Sequence, residues 1–125
     1  QHPNIIQLFD FFNDDDRIYL FMELGTDGHL FDMLTVKGKF EEETTSVVTR
    51  EIVEGIKYMH SKRIIHRDIK LENIVFTFVL FKFIQGMAKI CDFGWSIYEP
   101  KEFRTTICGT PLYLSPEALI GKKYN

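Results

Sequence analysis

The eight residues His66-Arg67-Asp68-Ile69-Lys70-Leu71-Glu72-Asn73 constrain this chain more than any other stretch. They follow a long segment of helical periodicity and precede an apolar run, which makes them a loop held between ordered elements. Asp68 and Lys70 stand two apart, and Asn73 lies five beyond Asp68. A carboxylate, an ammonium and an amide at those offsets suit phosphoryl transfer to a hydroxyl. The carboxylate orients the hydroxyl and accepts its proton, the ammonium neutralises charge on the moving phosphoryl group, and the amide oxygen holds a magnesium ion.

This stretch resembles the catalytic loop of eukaryotic protein kinases, with Leu71 where many members have Pro. Asp92-Phe93-Gly94 resembles the magnesium-binding turn of the same family. Ser115-Pro116-Glu117, preceded by Gly109-Thr110-Pro111, resembles the segment that closes the activation loop. Trp95-Ser96 and Arg104-Thr105-Thr106-Ile107-Cys108-Gly109-Thr110 narrow the resemblance to Aurora-type kinases, while Pro111-Leu112-Tyr113 matches serine/threonine kinases more broadly. The resemblance implies an α+β, protein-kinase-like two-lobe fold, present in part. Residues 1–22 would be the last small-lobe strands, 23–28 the hinge, and 29–125 the large lobe through the activation segment.

The same resemblance implies ATP and Mg2+ as cofactors, with Asp68 and Lys70 as the catalytic pair and Asn73 and Asp92 as metal ligands. Met22 becomes the gatekeeper. Glu23, Leu24 and Gly25 face the adenine edge, Val75 its underside, and Glu72 also belongs to the nucleotide site. Arg67 would pair with a phosphate on Thr106, beside Thr105, and such a phosphate adds about −1.5 to −2 charges. The Thr110 hydroxyl would bond Asp68 and Lys70, and His66 would pack on Phe93 rather than act as a base. Lys70 and Thr110 both favour serine or threonine over tyrosine acceptors. Expected partners are protein substrates with basic residues before Ser/Thr and an activating protein. A spindle or centrosome setting, cytoplasmic or nuclear, follows from the Aurora-type resemblance alone.

At 125 residues the chain is one domain or part of one. Its net charge of −3 points to neither nucleic acid nor a membrane surface. Cys91 and Cys108 form neither a metal spacing nor a disulfide framework, so a reducing compartment is the simpler expectation, with Cys108 the more exposed thiol. No leader peptide is visible at the start, and the longest apolar run, Ile74 to Ile84, is too short to span a bilayer as a helix.

Residues 5–12 and 17–22 read as an antiparallel hairpin around the turn Asn13-Asp14-Asp15-Asp16, whose charges suit a solvated tip. Leu8 falls where the family places an apolar spine residue. Glu23 to Gly28 reads as an irregular linker, and His29 to Val36 as a short helix ended by Gly38. Glu41-Glu42-Glu43 opens a long helix to about Ser61, its acids suited to the positive end of the dipole. Val48, Ile52, Ile56 and Met59 give that helix one buried stripe, and its task is to fix where Asp68 stands.

Ile74-Val75-Phe76 reads as a strand, after which Thr77 to Gly86 replaces a short polar turn with aromatic and β-branched residues. It would extend the hairpin, dock a partner, or be a non-coding or mistranslated stretch. Asn73 and Asp92 stand 19 positions apart, so they share a metal only if the hairpin absorbs the extra length. No Gly-rich phosphate loop, strand lysine or partner glutamate is present, and no Arg follows Arg104 to pair with Glu117, whose burial unpaired would be costly. Two functions remain. One is a segment of a magnesium- and ATP-dependent serine/threonine kinase, inactive alone. The other is a catalytically inactive kinase-like binding module.

Overall fold

The computed structural model describes residues 1–77, 86–99 and 105–124. The fold is α+β. Strands β1 (Leu8–Asn13) and β2 (Ile18–Met22) pair antiparallel, with a bulge between Leu8 and Asp10. The acidic tip between them does more than meet solvent. Asp14 Oδ1 accepts from the N–H groups of Asp16 and Arg17 at 2.9 and 2.7 Å, closing the turn. Those two hydrogen bonds hold the Asp14 carboxyl below its usual range. Phe9, Phe11, Phe12, Leu20 and Phe21 are all exposed on this ribbon. Two strands alone are marginal in water, so the ribbon needs a cover for its apolar faces.

Helices α1 (Leu30–Lys37) and α2 (Glu42–Ser61) follow. Val48 and Met59 of α2 are buried, and Ile52 and Ile56 pack beside them, so the helical stripe faces the core. Strand β3 is Ile64–Ile65, and a single 3-10 turn spans Leu71–Asn73. Strands β4 (Ile74–Thr77) and β5 (Met87–Ile90) pair antiparallel, Ile74 opposite Ile90 and Thr77 opposite Met87. Leu30, Val48, Met59, Ile74, Phe76, Ala88 and Ile90 form the core between α1, α2 and this pair. The aromatic excursion falls on residues 78–85, outside the described residues, but its two ends leave and rejoin the sheet at paired positions.

Strand β6 (Ile97–Tyr98) pairs antiparallel with β3, bracketing the intervening loop. A second 3-10 turn, Pro111–Tyr113, leads to α3 (Pro116–Leu119), whose cap Ser115 accepts from Ala118 N–H. Among the described residues no helix is long and apolar enough to cross a membrane.

The structure departs from the sequence reading in three places. The first strand begins at Leu8 rather than Ile5, because the preceding backbone is spent on β5. Ile6 N–H donates to Ile90 O at 2.9 Å, and Ile90 N–H donates to Asn4 O at 3.0 Å. Glu117 is exposed rather than buried, so the cost of an unpaired carboxylate in the interior does not arise. Cys91 and Cys108 are both partly buried, so Cys108 is not the distinctly open thiol.

Candidate active site

The loop between β3 and β4 is fixed from beneath by His66, only 2% exposed. Its Nε2 lies 3.1 Å from the Cys91 carbonyl, and its Nδ1 lies 3.3 Å from Asp68 N–H. A carbonyl only accepts and an amide only donates, so the ring is the neutral Nε2–H tautomer. The His66 ring meets Phe93 edge-on, with centroids 5.0 Å apart. Burial pushes the imidazole pKa down, against weaker opposing effects from Cys91, Asp68 and Asp92.

The sign of that shift sets an acid response. The unfolded chain binds the His66 proton more readily, so its stabilisation is complete above the ordinary value of 6.5. It declines as pH falls through that value toward the folded one. We expect the urea midpoint of the intact protein to drop from about pH 7.5 to about pH 5.5, and to drop less in His66→Gln. Parallel pH dependence in both proteins would assign the acid response elsewhere.

Asp68 is the centre of the site, with its side chain 4% exposed. Oδ1 accepts from Thr110 N–H at 2.9 Å and from Thr110 Oγ1 at 2.6 Å. Oδ2 accepts from Lys70 Nζ at 2.9 Å and from Asn73 Nδ2 at 3.1 Å. Lys70 Nζ also donates to Thr110 Oγ1 at 2.9 Å. Burial pushes the Asp68 carboxyl up, but the bonds from Thr110 and Lys70 and the charge of Lys70 outweigh it, leaving it lowered. The bond to Asp68 raises Lys70 in turn. Both members of the pair are therefore charged at neutral pH.

Asn73 donates through Nδ2 to both Asp68 O and Asp68 Oδ2. Both partners only accept, so the amide nitrogen must face them and the amide oxygen faces away. Cys91 N–H donates to Asn73 O at 2.9 Å, which brings the start of the Asp92 turn beside Asn73. The β4–β5 register achieves this despite the long excursion between them. Asp92 is exposed at φ 57, and its Oδ1 accepts from Gly94 N–H at 3.1 Å.

Among the described residues no group of three His, Cys, Asp or Glu side chains could hold a metal. The Asn73 amide and Asp92 carboxylate are hard oxygen donors of the kind magnesium takes when phosphates and water complete its shell. Glu72 Oε2 is buried without a hydrogen-bond partner among the described residues, a vacancy that a ligand hydroxyl would fill. The donor set thus fits a magnesium-bound nucleotide.

The residues expected around an adenine divide. Gly25 and Val75 come together so closely that a Cβ on Gly25 would sit 2.9 Å from Val75 Cβ. Met22 and Leu24 do not join them and are 52% and 75% exposed. Glu23 spends its carboxylate on Lys89 at 2.7 Å and on Gln7 N–H at 3.2 Å. The linker itself is pinned to β4, with Asp27 N–H donating to Phe76 O and Phe76 N–H donating to Gly28 O.

Thr105 and Thr106 are exposed, and Arg104 lies outside the described residues. Arg67, at φ 69, donates from Nε to Trp95 O at 2.7 Å. His29 is exposed, as a surface residue would be, but sequence reasoning did not foresee that its Nδ1 lies 2.6 Å from Glu72 O, and it missed Tyr124, whose hydroxyl reaches Thr106 O. Neither stands in a motif, so nothing short of the folded chain would have singled them out.

The protein kinase domain family matches residues 1–125, and the chain belongs to that family. Over its whole length it is similar to Aurora kinases. It is 42% identical to Aurora kinase B of Mus musculus and to an Aurora kinase of Dictyostelium discoideum, covering 34% and 31% of those proteins. It is 41% identical to Aurora kinase C of Mus musculus, covering 43% of it. The chain therefore spans between about a third and two fifths of the length of these curated relatives.

Proposed function

We propose that the intact protein carrying this chain is a serine/threonine protein kinase of Aurora type. One observation carries the reading. A buried, ionised Asp68 is held by Lys70, Thr110 and Asn73, with the Asp92 turn tied beside Asn73.

In this reading Asp68 orients the acceptor hydroxyl and takes its proton, and Lys70 offsets charge on the transferring group. Thr110 holds both in place and shapes the acceptor site for a small alcohol. Asn73 and Asp92 would hold magnesium, and Glu72, Gly25 and Val75 would line the nucleotide site with Met22, Glu23 and Leu24. The bound magnesium–ATP pair supplies the phosphoryl group and the charge that stabilises its transfer. Residues 1–22 contribute strands of a smaller lobe, 23–28 the hinge, and 29–125 the large lobe. Arg67 would receive a phosphate on Thr106, with Thr105 its neighbour. Arg104 before Thr105-Thr106 suits substrates with basic residues ahead of Ser or Thr, in a cytoplasmic or nuclear setting linked to the spindle.

The test is magnesium-dependent transfer of the ATP γ-phosphate to a basic serine peptide by the intact protein. Failure of a well-folded preparation to transfer phosphate would move the chain to the inactive, partner-binding class. The 125-residue chain by itself is expected to transfer none, because among the described residues the apolar faces of its β1–β2 ribbon stand exposed. Turnover by the isolated chain that Lys70→Ala abolishes would overturn that expectation.

A further inference from the structure

Tyr124 has no role in the chemistry above. Its hydroxyl donates to Thr106 O at 2.5 Å, lies 3.8 Å from Cys108 Sγ, and shares a cleft with Arg67. Its ring lines a cleft of about 190 Å3 together with Arg67, Asp68 and Thr110. One phenol on the chain after α3 therefore grips the stretch holding Thr106 at a cleft that the catalytic loop lines. A phenol has one proton to give, and here it goes to the Thr106 carbonyl. Burial and the Cys108 thiol raise its pKa, so it keeps that proton at neutral pH.

The geometry points to Tyr124 as a positioning residue that seats the unmodified activation segment against the catalytic loop, by fixing the Thr106 carbonyl beside the cleft that Arg67 lines. The alignment matters because the next residues, Gly109 and Thr110, pack on Arg67 and bond Asp68. A phosphate on Thr106 would engage Arg67 directly and take over the link that the phenol provides. Tyr124 thus matters most before modification and least after it. The consequence for turnover rests on the kinase reading proposed above, whereas the contact itself does not.

The test uses the intact protein with Tyr124→Phe, which keeps the ring and removes the hydroxyl. With Thr106 unmodified, alkylation of Cys108 by iodoacetamide should accelerate about tenfold while Cys91 is unchanged. Peptide kcat/KM should fall about tenfold with the KM for ATP unaltered. With Thr106 phosphorylated, both differences should shrink below about twofold. Unchanged Cys108 reactivity, or equal acceleration in both phosphorylation states, overturns the proposal. A wild type without phosphotransfer defeats the kinase reading, and the alkylation rates still decide the role of Tyr124. Joint acceleration of Cys91 and Cys108 would mark unfolding. Hydrogen exchange of wild-type residues 105–109 then decides, with protection of about tenfold over the free peptide expected and none counting against seating.

Discussion

Asp68→Asn in the intact protein is expected to lower kcat for peptide phosphorylation by about a thousandfold, with the KM for ATP changed by less than about threefold. Asn has the shape of Asp, so the loss is one of chemistry and hydrogen bonding. Four donors surround the native carboxylate: Thr110 N–H, Thr110 Oγ1, Lys70 Nζ and Asn73 Nδ2. An amide offers one accepting and one donating end, so at least one of these donors would face another donor. The amide also cannot take a proton from an acceptor hydroxyl, and it leaves Lys70 without its counter-charge. The exposure that Lys70 retains lets water offset part of that lost pairing. A variant within tenfold of the wild-type rate would remove Asp68 from the chemistry altogether.

Gly109→Ala should unseat the segment that presents Thr110. Gly109 has φ 102, and a Cβ there would lie 2.3 Å from Arg67 O. The obstacle is a backbone oxygen on a residue itself held at positive φ, so neither side can yield cheaply. Left-handed strain and overpacking together are expected to cost about 3 kcal/mol in urea unfolding, with peptide kcat/KM falling about a hundredfold. Gly121→Ala is the matched comparison. It has φ 66 but nothing within 4 Å of an added Cβ, so only the backbone cost of about 1 kcal/mol applies. Equal losses at the two positions would show that the approach to Arg67 carries no weight.

The parts of this molecule legible from the sequence were those whose chemistry sits in short motifs. The Asp68–Lys70–Thr110 arrangement and the contact of His66 with Phe93 both follow from the motif resemblance, and the long helix follows from its apolar period. Backbone pairing between distant segments left no such mark. Ile5 reads as strand by composition, yet its neighbours bond to Ile90, and no side-chain pattern announces that choice. The linker looked irregular because its order comes from Phe76, far along the chain. Glu117 looked like an interior acid without a partner, whereas the surface position of its helix lets water solvate it. Tyr124 was invisible for a related reason: its hydroxyl bonds a backbone carbonyl, and the Arg67 side chain lining the same cleft stands more than fifty residues earlier.

The β4–β5 register separates length from chemistry. Ile74 faces Ile90 next to Asn73 and Asp92, while the departure point for the aromatic excursion lies at the opposite end, between Thr77 and Met87. Loop closure becomes costlier only slowly with added residues. This hairpin tip is therefore a splice point, where evolution or an engineer can add or delete sequence while the reacting groups keep their spacing.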